Sequence, residues 1–209
     1  MSRSVSIRLL LACLLLAVIS TGCSRDPNVR KQKYFDSGEK YFAEGKYREA
    51  AIQYSNAVQI DSGFAQAHYK LSQVYLKLGD TNHAFPELTR TVELAPDNYR
   101  ARTDLANILL TARNPDGSPV QDALNQAKIH LDMVKEKQPN NPETHEAWAN
   151  YYAAQNKFAA AMLEMQQAIA EDNTRSESYL LLALFQLAPT CPALRKTVSS
   201  ELSKSILNS

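Results

Sequence analysis

Turn-forming residues are scarce in this chain of 209 residues: 6 Gly and 9 Pro make up about 7% of it, against roughly 12% in average proteins. So small a supply excludes an all-β fold, whose many short strands need turn signals at regular spacing, and leaves a mostly helical protein. An excess of either charge is missing as well, with 23 Lys plus Arg set against 22 Asp plus Glu. A general nucleic-acid binder needs a basic surface to neutralise phosphates, so no nucleic acid is expected as a partner.

Reactive constellations are also absent. His68, His83, His130 and His145 stand in separate segments, with no His-Glu-x-x-His, Cys-x-x-Cys or Cys-x-x-Cys-His spacing among them. His145-Glu146 begins a zinc-protease motif whose second His is missing. These histidines read as surface or groove residues, not as ligands. Neither a Gly-x-Ser-x-Gly elbow nor a Gly-rich phosphate loop occurs. Asn114-Pro115-Asp116-Gly117-Ser118 lacks the alternating carboxylates and closing Glu of a calcium loop, and reads as a solvated turn. The expectation is a protein with no metal, no cofactor and no enzymatic activity.

What is present begins with a leader. Residues 1–8 carry Arg3 and Arg8 with no acid, and residues 9–19 form an unbroken apolar run. A helix of that run spans about 16 Å, short of the roughly 30 Å hydrocarbon core of a membrane. The pattern is that of a signal peptide over residues 1–22. Ser20-Thr21-Gly22-Cys23 then resembles the bacterial lipobox, although Ser20 stands where Leu is usual. The resemblance implies lipidation of Cys23 by a diacylglycerol thioether, with a third, palmitate-type chain on its new amino group. Several chains give stable anchoring where one alone is marginal. In that family Asp after the Cys favours inner-membrane retention; with Ser24 there, the periplasmic face of an outer membrane is expected instead.

Removal of residues 1–22 takes away two Arg, leaving 21 basic and 22 acidic side chains. Of the three cysteines, Cys13 leaves with the leader, Cys23 is lipidated and Cys191 stands alone, so no intramolecular disulfide is expected. Cys191 is then a small buried apolar residue or an intermolecular thiol.

Behind a short tether, residues 23–30, the chain repeats itself with a period of 34. That shift brings Tyr41 onto Tyr75, Gly45 onto Gly79, Ala50 onto Ala84 and Tyr54 onto Leu88. The period, with aromatic, small and helix-ending residues at fixed slots, resembles the tetratricopeptide (TPR) repeat, a helix-turn-helix unit. It divides residues 31–188 into 31–64, 65–98, 99–141, 142–175 and a half-repeat at 176–188. The resemblance implies an all-α fold, a right-handed α-solenoid of about four to five repeats.

Small residues at slots 8, 20 and 27, such as Gly38, Ala50 and Ala57, let antiparallel helices approach. Large ones at slots 4, 11 and 24, such as Tyr34, Tyr41 and Tyr54, fill the gaps. The third repeat is longer, with turn formers at 113–119 and a second helix expected over 120–136. Trp148 sits at slot 7 of the fourth, and Asn156, tolerant of the left-handed region, replaces the turn Gly. Pro86 falls inside a second helix, tolerable at the first turn and kinking deeper in.

The half-repeat 176–188 is apolar nearly all round and needs a cover. Residues 189–209, with Leu194, Val198, Leu202 and Ile206 at a spacing of four, read as an amphipathic cap. If they do not cover it, 176–188 is a homodimer interface or the chain is shorter than its relatives.

TPR geometry places first helices on the concave side, mainly through slots 2, 5, 9 and 12. Candidate peptide-binding residues are therefore Phe35, Phe42 and Tyr69 for apolar side chains, with Gln73, Asn107 and Asn150 supplying amides that bridge an extended backbone. The competing role of Phe35 and Phe42 is packing on the anchor segment. Slot 5 is Phe35, Tyr69, Thr103 and Glu146, never Lys, which argues against a clamp for a partner's terminal carboxylate. The resulting expectation is a lipid-anchored scaffold that binds a protein or peptide partner in the bacterial envelope, in assembly or export of a complex. A self-associating structural lipoprotein or a non-catalytic enzyme subunit is the alternative.

Overall fold

A computed structural model of the chain describes residues 26–187. The leader, Cys23, most of the tether, Cys191 and the cap at 189–209 lie outside the described residues. Among the described residues there are nine helices and no strand, apart from one isolated bridge between Arg113 and Pro119. The chain divides after Ala67 into two compact units.

The first unit holds α1 (Pro27–Ala43), α2 (Tyr47–Ile60) and the start of α3 (Ala65–Lys77). Asp26 caps α1 by accepting from the Asn28 N–H at 2.8 Å, with Pro27 at the first position, where no N–H is missed. Gly45 ends the turn after α1 at φ +71°, a conformation that costs other residues a clash at Cβ. Inside the hairpin the Tyr54 ring lies on Gly38, and Phe35 packs between Tyr54 and Phe64 at ring distances of 5.6 and 5.1 Å. Lys31 pairs with Asp61 and lies over the Phe64 ring, closing the same cluster from its edge.

The second unit continues with α4 (Thr81–Leu94), α5 (Tyr99–Leu109), α6 (Gln121–Lys137), α7 (Pro142–Ala154), α8 (Phe158–Glu171) and α9 (Ser176–Leu187). Asp80, Asn98 and Asn141 cap α4, α5 and α7 by accepting backbone N–H groups. Gly79 and Asn156 take positive φ in the turns that follow α3 and α7. Small and large slots both fill the interior: Ala84, Ala127 and Ala161 are buried beside Leu88, Leu131 and Met165. Successive apolar clusters result. One joins Leu76, Leu88 and Leu105, the next Leu110, Leu131 and Trp148, the last Met165, Leu181 and Phe185.

Two details differ from expectation. Pro86 lies in the second turn of α4, not the first, so the bond to the carbonyl of Asn82 is lost; Asn82 is exposed and water can take that carbonyl. His68 and His145 are buried, not at the surface, because each meets a carboxylate from the second helix of its own pair.

The longer third connection is stitched to itself. Asn114 N–H donates to Ser118 O at 2.8 Å, Ser118 N–H to Asp116 Oδ1 at 2.8 Å, and Gly117 takes φ +81°. Asp116 is thus committed to its own loop, whose hydrogen bonds to Ser118 hold its carboxyl below the usual carboxylate range.

Candidate docking surface

In the second unit the first helices α3, α5 and α7 meet through polar side chains. The Tyr69 hydroxyl of α3 donates to Asp104 Oδ2 of α5 at 3.3 Å. Asn150 of α7 donates through Nδ2 to Asn107 Oδ1 of α5 at 3.3 Å. Arg100 and Glu143 bridge α5 and α7 at 3.6 Å, and Arg175 grips Glu146 through Nε and Nη2, both at 2.8 Å, while Ser178 adds a bond at 2.5 Å. α5 and α7 each contribute residues three or four apart, the spacing that puts side chains on one face.

Asp104 is half-buried, and the loss of water around its carboxyl pushes its pKa up to about 7. The Tyr69 hydroxyl, Arg100 and Lys77 oppose that rise, and Glu143 adds to it. Burial raises the Tyr69 hydroxyl as well, so it stays a donor at neutral pH. Asn107 and Asn150 are only 8% and 6% exposed, and Asn150 Oδ1 is buried without a hydrogen-bond partner among the described residues. An orphaned acceptor of this kind costs about 1–3 kcal/mol.

The structure thus brings Tyr69, Asn107 and Asn150 onto adjoining helices, with half-buried Gln73 one turn beyond Tyr69. Two of the expected residues fall elsewhere. Phe35, at 5% exposure, belongs to the interior of the first unit, where Tyr54 and Phe64 occupy its faces. Phe42, half-buried in that unit, packs edge-on to Tyr47 at 5.4 Å. Asp104 escaped the sequence reading, though it stands one turn before Asn107 on the same face and that spacing was available.

Slot 4 carries a further pattern. His68 Nδ1 meets Glu87 at 2.6 Å and His145 Nδ1 meets Glu164 at 2.7 Å, each pair separated by 19 residues. Between them in the series, buried Arg102 donates to Pro96 O at 2.7 Å and lies 3.4 Å from His130. Burial, then the Arg102 charge, lowers the His130 pKa. Each of these side chains is partnered, so they read as tethers between the two helices of a pair.

A family model described as TPR repeat matches residues 38–79, and one described as tetratricopeptide repeat matches residues 65–98. The chain carries TPR repeats. Its all-α succession of helix pairs is the TPR fold, shared with MamA from Desulfovibrio magneticus RS-1 (TM-score 0.62, 15% identity, covering 86% of this chain and 94% of that one). It is similarly shared with YrrB, described as a TPR protein with an unusual peptide-binding site (TM-score 0.59, 21% identity, covering 71% of this chain and 72% of that one). Among curated proteins, DnaJ homolog subfamily C member 3 of Bos taurus is 29% identical over 120 residues, 57% of this chain and 22% of that protein. The chain therefore spans about a fifth of the length of the curated relatives it matches. A TPR array is a surface suited to protein–protein interaction.

Proposed function

We propose that this chain is a non-catalytic TPR scaffold, anchored to a bacterial membrane through Cys23, that docks an extended segment of another envelope protein in assembly or export of a complex. The observation that carries the docking reading is the row of polar side chains that Tyr69, Gln73, Arg100 and Glu143 present on the adjoining first helices α3, α5 and α7, backed by the Asn107–Asn150 bond. Hydroxyl, amide and charged groups on such a row can bond the N–H and C=O groups of an extended segment, which is how a peptide gains affinity without a large apolar contact. The peptide-binding site named for YrrB supports the same use of the fold.

Support for the anchor lies in residues 9–23, an apolar run too short to span a bilayer followed by Thr-Gly-Cys. Lipid attachment would raise the local concentration of membrane-bound partners around the repeats. Ser24, in place of the Asp that favours inner-membrane retention, supports sorting to the periplasmic face of an outer membrane.

Two measurements test this reading. Cys23→Ser should move the protein from the membrane to the soluble fraction, and unchanged fractionation rejects the anchor. A photo-crosslinker at Arg100, whose side chain is exposed on α5, should capture one defined partner in intact envelopes; lipid alone, or nothing, rejects the scaffold. The exposure of Tyr179 and Leu180 on α9 favours a second reading, self-association through 176–188. Light scattering on the purified protein decides that point, since a concentration-independent monomer excludes it.

A further inference from the structure

We propose that residues 192–206 form the second helix of a fifth TPR pair, seated on the face of α9 that bears Tyr179 and Ala183, with Val198 against Tyr179.

The other pairs show which face of a first helix its second helix covers. Slot 8 meets the second helix at Gly38, on which the Tyr54 ring lies; slot 4 meets it at His68 with Glu87 and at His145 with Glu164. In the second unit both slots are accordingly buried, His68, Arg102 and His145 at slot 4 and Ser72, Ala106 and Ala149 at slot 8. On α9 they are not. That helix is docked on one side, where Leu181 and Phe185 join Phe158 and Met165, while Tyr179 at slot 4 is 47% exposed and Ala183 at slot 8 is exposed as well. Among the described residues nothing plays the part of its second helix.

The segment that follows has the spacing, the apolar stripe and the length for that part. α3 and α4 begin 16 residues apart, and so do α7 and α8. The same step from Ser176 reaches Pro192, and proline suits a first helical position, where no N–H is missed. His68–Glu87 and His145–Glu164 are each separated by 19 residues, and 19 residues beyond Tyr179 stands Val198. An apolar pair thus replaces a buried ion pair. Leu194 and Leu202 lie one turn to either side of Val198, whereas Lys196, Ser200 and Lys204 fall on the opposite face of such a helix, toward water. Arg195 stands at slot 20, where the other second helices carry alanine; its stem can lie along α9 with the guanidinium in water. The 14 residues of α2, α4 and α8 are matched in length by 192–206.

Tethered to α9 by a few residues, this segment meets the face at a high effective concentration that a second copy of the chain does not match in dilute solution. With the segment in place, that face is closed to self-association. The docking reading of α3, α5 and α7 stands or falls separately.

Disulfide trapping in the full chain, with Cys13, Cys23 and Cys191 replaced by serine, tests the inference. Tyr179→Cys with Val198→Cys should close an intramolecular disulfide under mild oxidation, read by mass as a monomer that has lost two hydrogens. Tyr179→Cys with Ser200→Cys, whose second thiol points to water, should not close. Equal closure in both pairs shows a segment without a fixed seat, covalent dimers show a second copy on the face, and no closure in either pair shows the face uncovered by this segment. Each of these results overturns the inference. In the otherwise native chain, Val198→Asp should lower the thermal midpoint by about 5 °C or more, and Ser200→Asp should leave it unchanged. Equal midpoints for these two variants overturn the inference as well.

Discussion

Gly38 of α1 and Tyr54 of α2 touch so closely that a methyl group on Gly38 would sit 2.6 Å from the tyrosine ring. Gly38 is helical, so its role is the absence of a side chain, not an unusual backbone angle. Two effects then oppose each other in Gly38→Ala. Helix propensity favours Ala by about 1 kcal/mol, while overpacking against a fully buried ring costs about 1–3 kcal/mol. The expected net result is destabilisation, seen as a lower thermal midpoint of the first unit. Truncating the ring by Tyr54→Ala should abolish the penalty of Gly38→Ala in a double-mutant cycle, and a stabilised single variant contradicts the contact.

Asp104 predicts an unusual dependence of stability on pH. Its carboxyl is raised from 3.8 to about 7 in the folded chain, so the folded state binds the proton more tightly than the unfolded one. The contribution is fully present below about pH 4 and is lost as the pH rises through 7. Asp104→Asn should flatten the change between pH 4 and 7 and should be more stable than the native chain at pH 8. Urea unfolding at pH 5 and pH 8 measures both, and parallel losses in the two proteins rule the assignment out. Tyr69, Lys77, Arg100 and Glu143 are the groups facing this carboxyl and should be left intact in the comparison.

The carboxylate of Glu164 serves two partners, His145 at 2.7 Å and Lys135 at 3.0 Å. Glu164→Ala leaves the buried His145 without its bond, at a cost of about 1–3 kcal/mol. Glu164→Gln keeps an acceptor and should cost less. The exposed pair Lys128–Asp132 offers a control, since cutting it should change stability by under about 0.5 kcal/mol. Equal effects from the buried and exposed pairs would contradict the geometry.

Trp148 is the chain's single tryptophan, packed with Tyr151 and Tyr152 at 5.3 and 5.7 Å and covered by Lys128 and Lys135 at 5.8 and 5.2 Å from its ring centre. Its indole N–H is buried without a partner among the described residues, so phenylalanine loses no hydrogen bond there. Trp148→Phe should cost under about 1.5 kcal/mol, whereas Trp148→Ala should cost about 3–5 kcal/mol. Denaturation followed by circular dichroism separates the two, and comparable losses would show that the N–H matters after all.

The interior of the helix pairs was readable in advance because close packing has few solutions. Ala50, Ala84, Ala127 and Ala161 recur where two backbones approach, and all four are buried. Polar burial was less readable, since a histidine that is costly alone becomes acceptable once a partner arrives from another helix. His68 with Glu87 and His145 with Glu164 share a separation of 19 residues, a regularity present in the sequence and overlooked there. Asn107 and Asn150 were identified as amides for a ligand, while their bond to each other depends on helix placement that no local pattern encodes. Phe35 shows the opposite error: its slot pointed to the groove, yet Phe64, beyond the end of α2, supplies a surface that draws it inward.

The loop between α5 and α6 closes its neck through the Val120 N–H to Ala112 O bond at 3.3 Å and spends its own polar groups internally. Its tip around Gly117 is exposed and bears no weight of the helices on either side. Extra residues there lengthen a protrusion without shifting the repeats, since loop closure grows only slowly with length. An epitope or a fluorophore grafted at Gly117 would therefore let the protein be followed in cells while α3, α5 and α7 stay untouched.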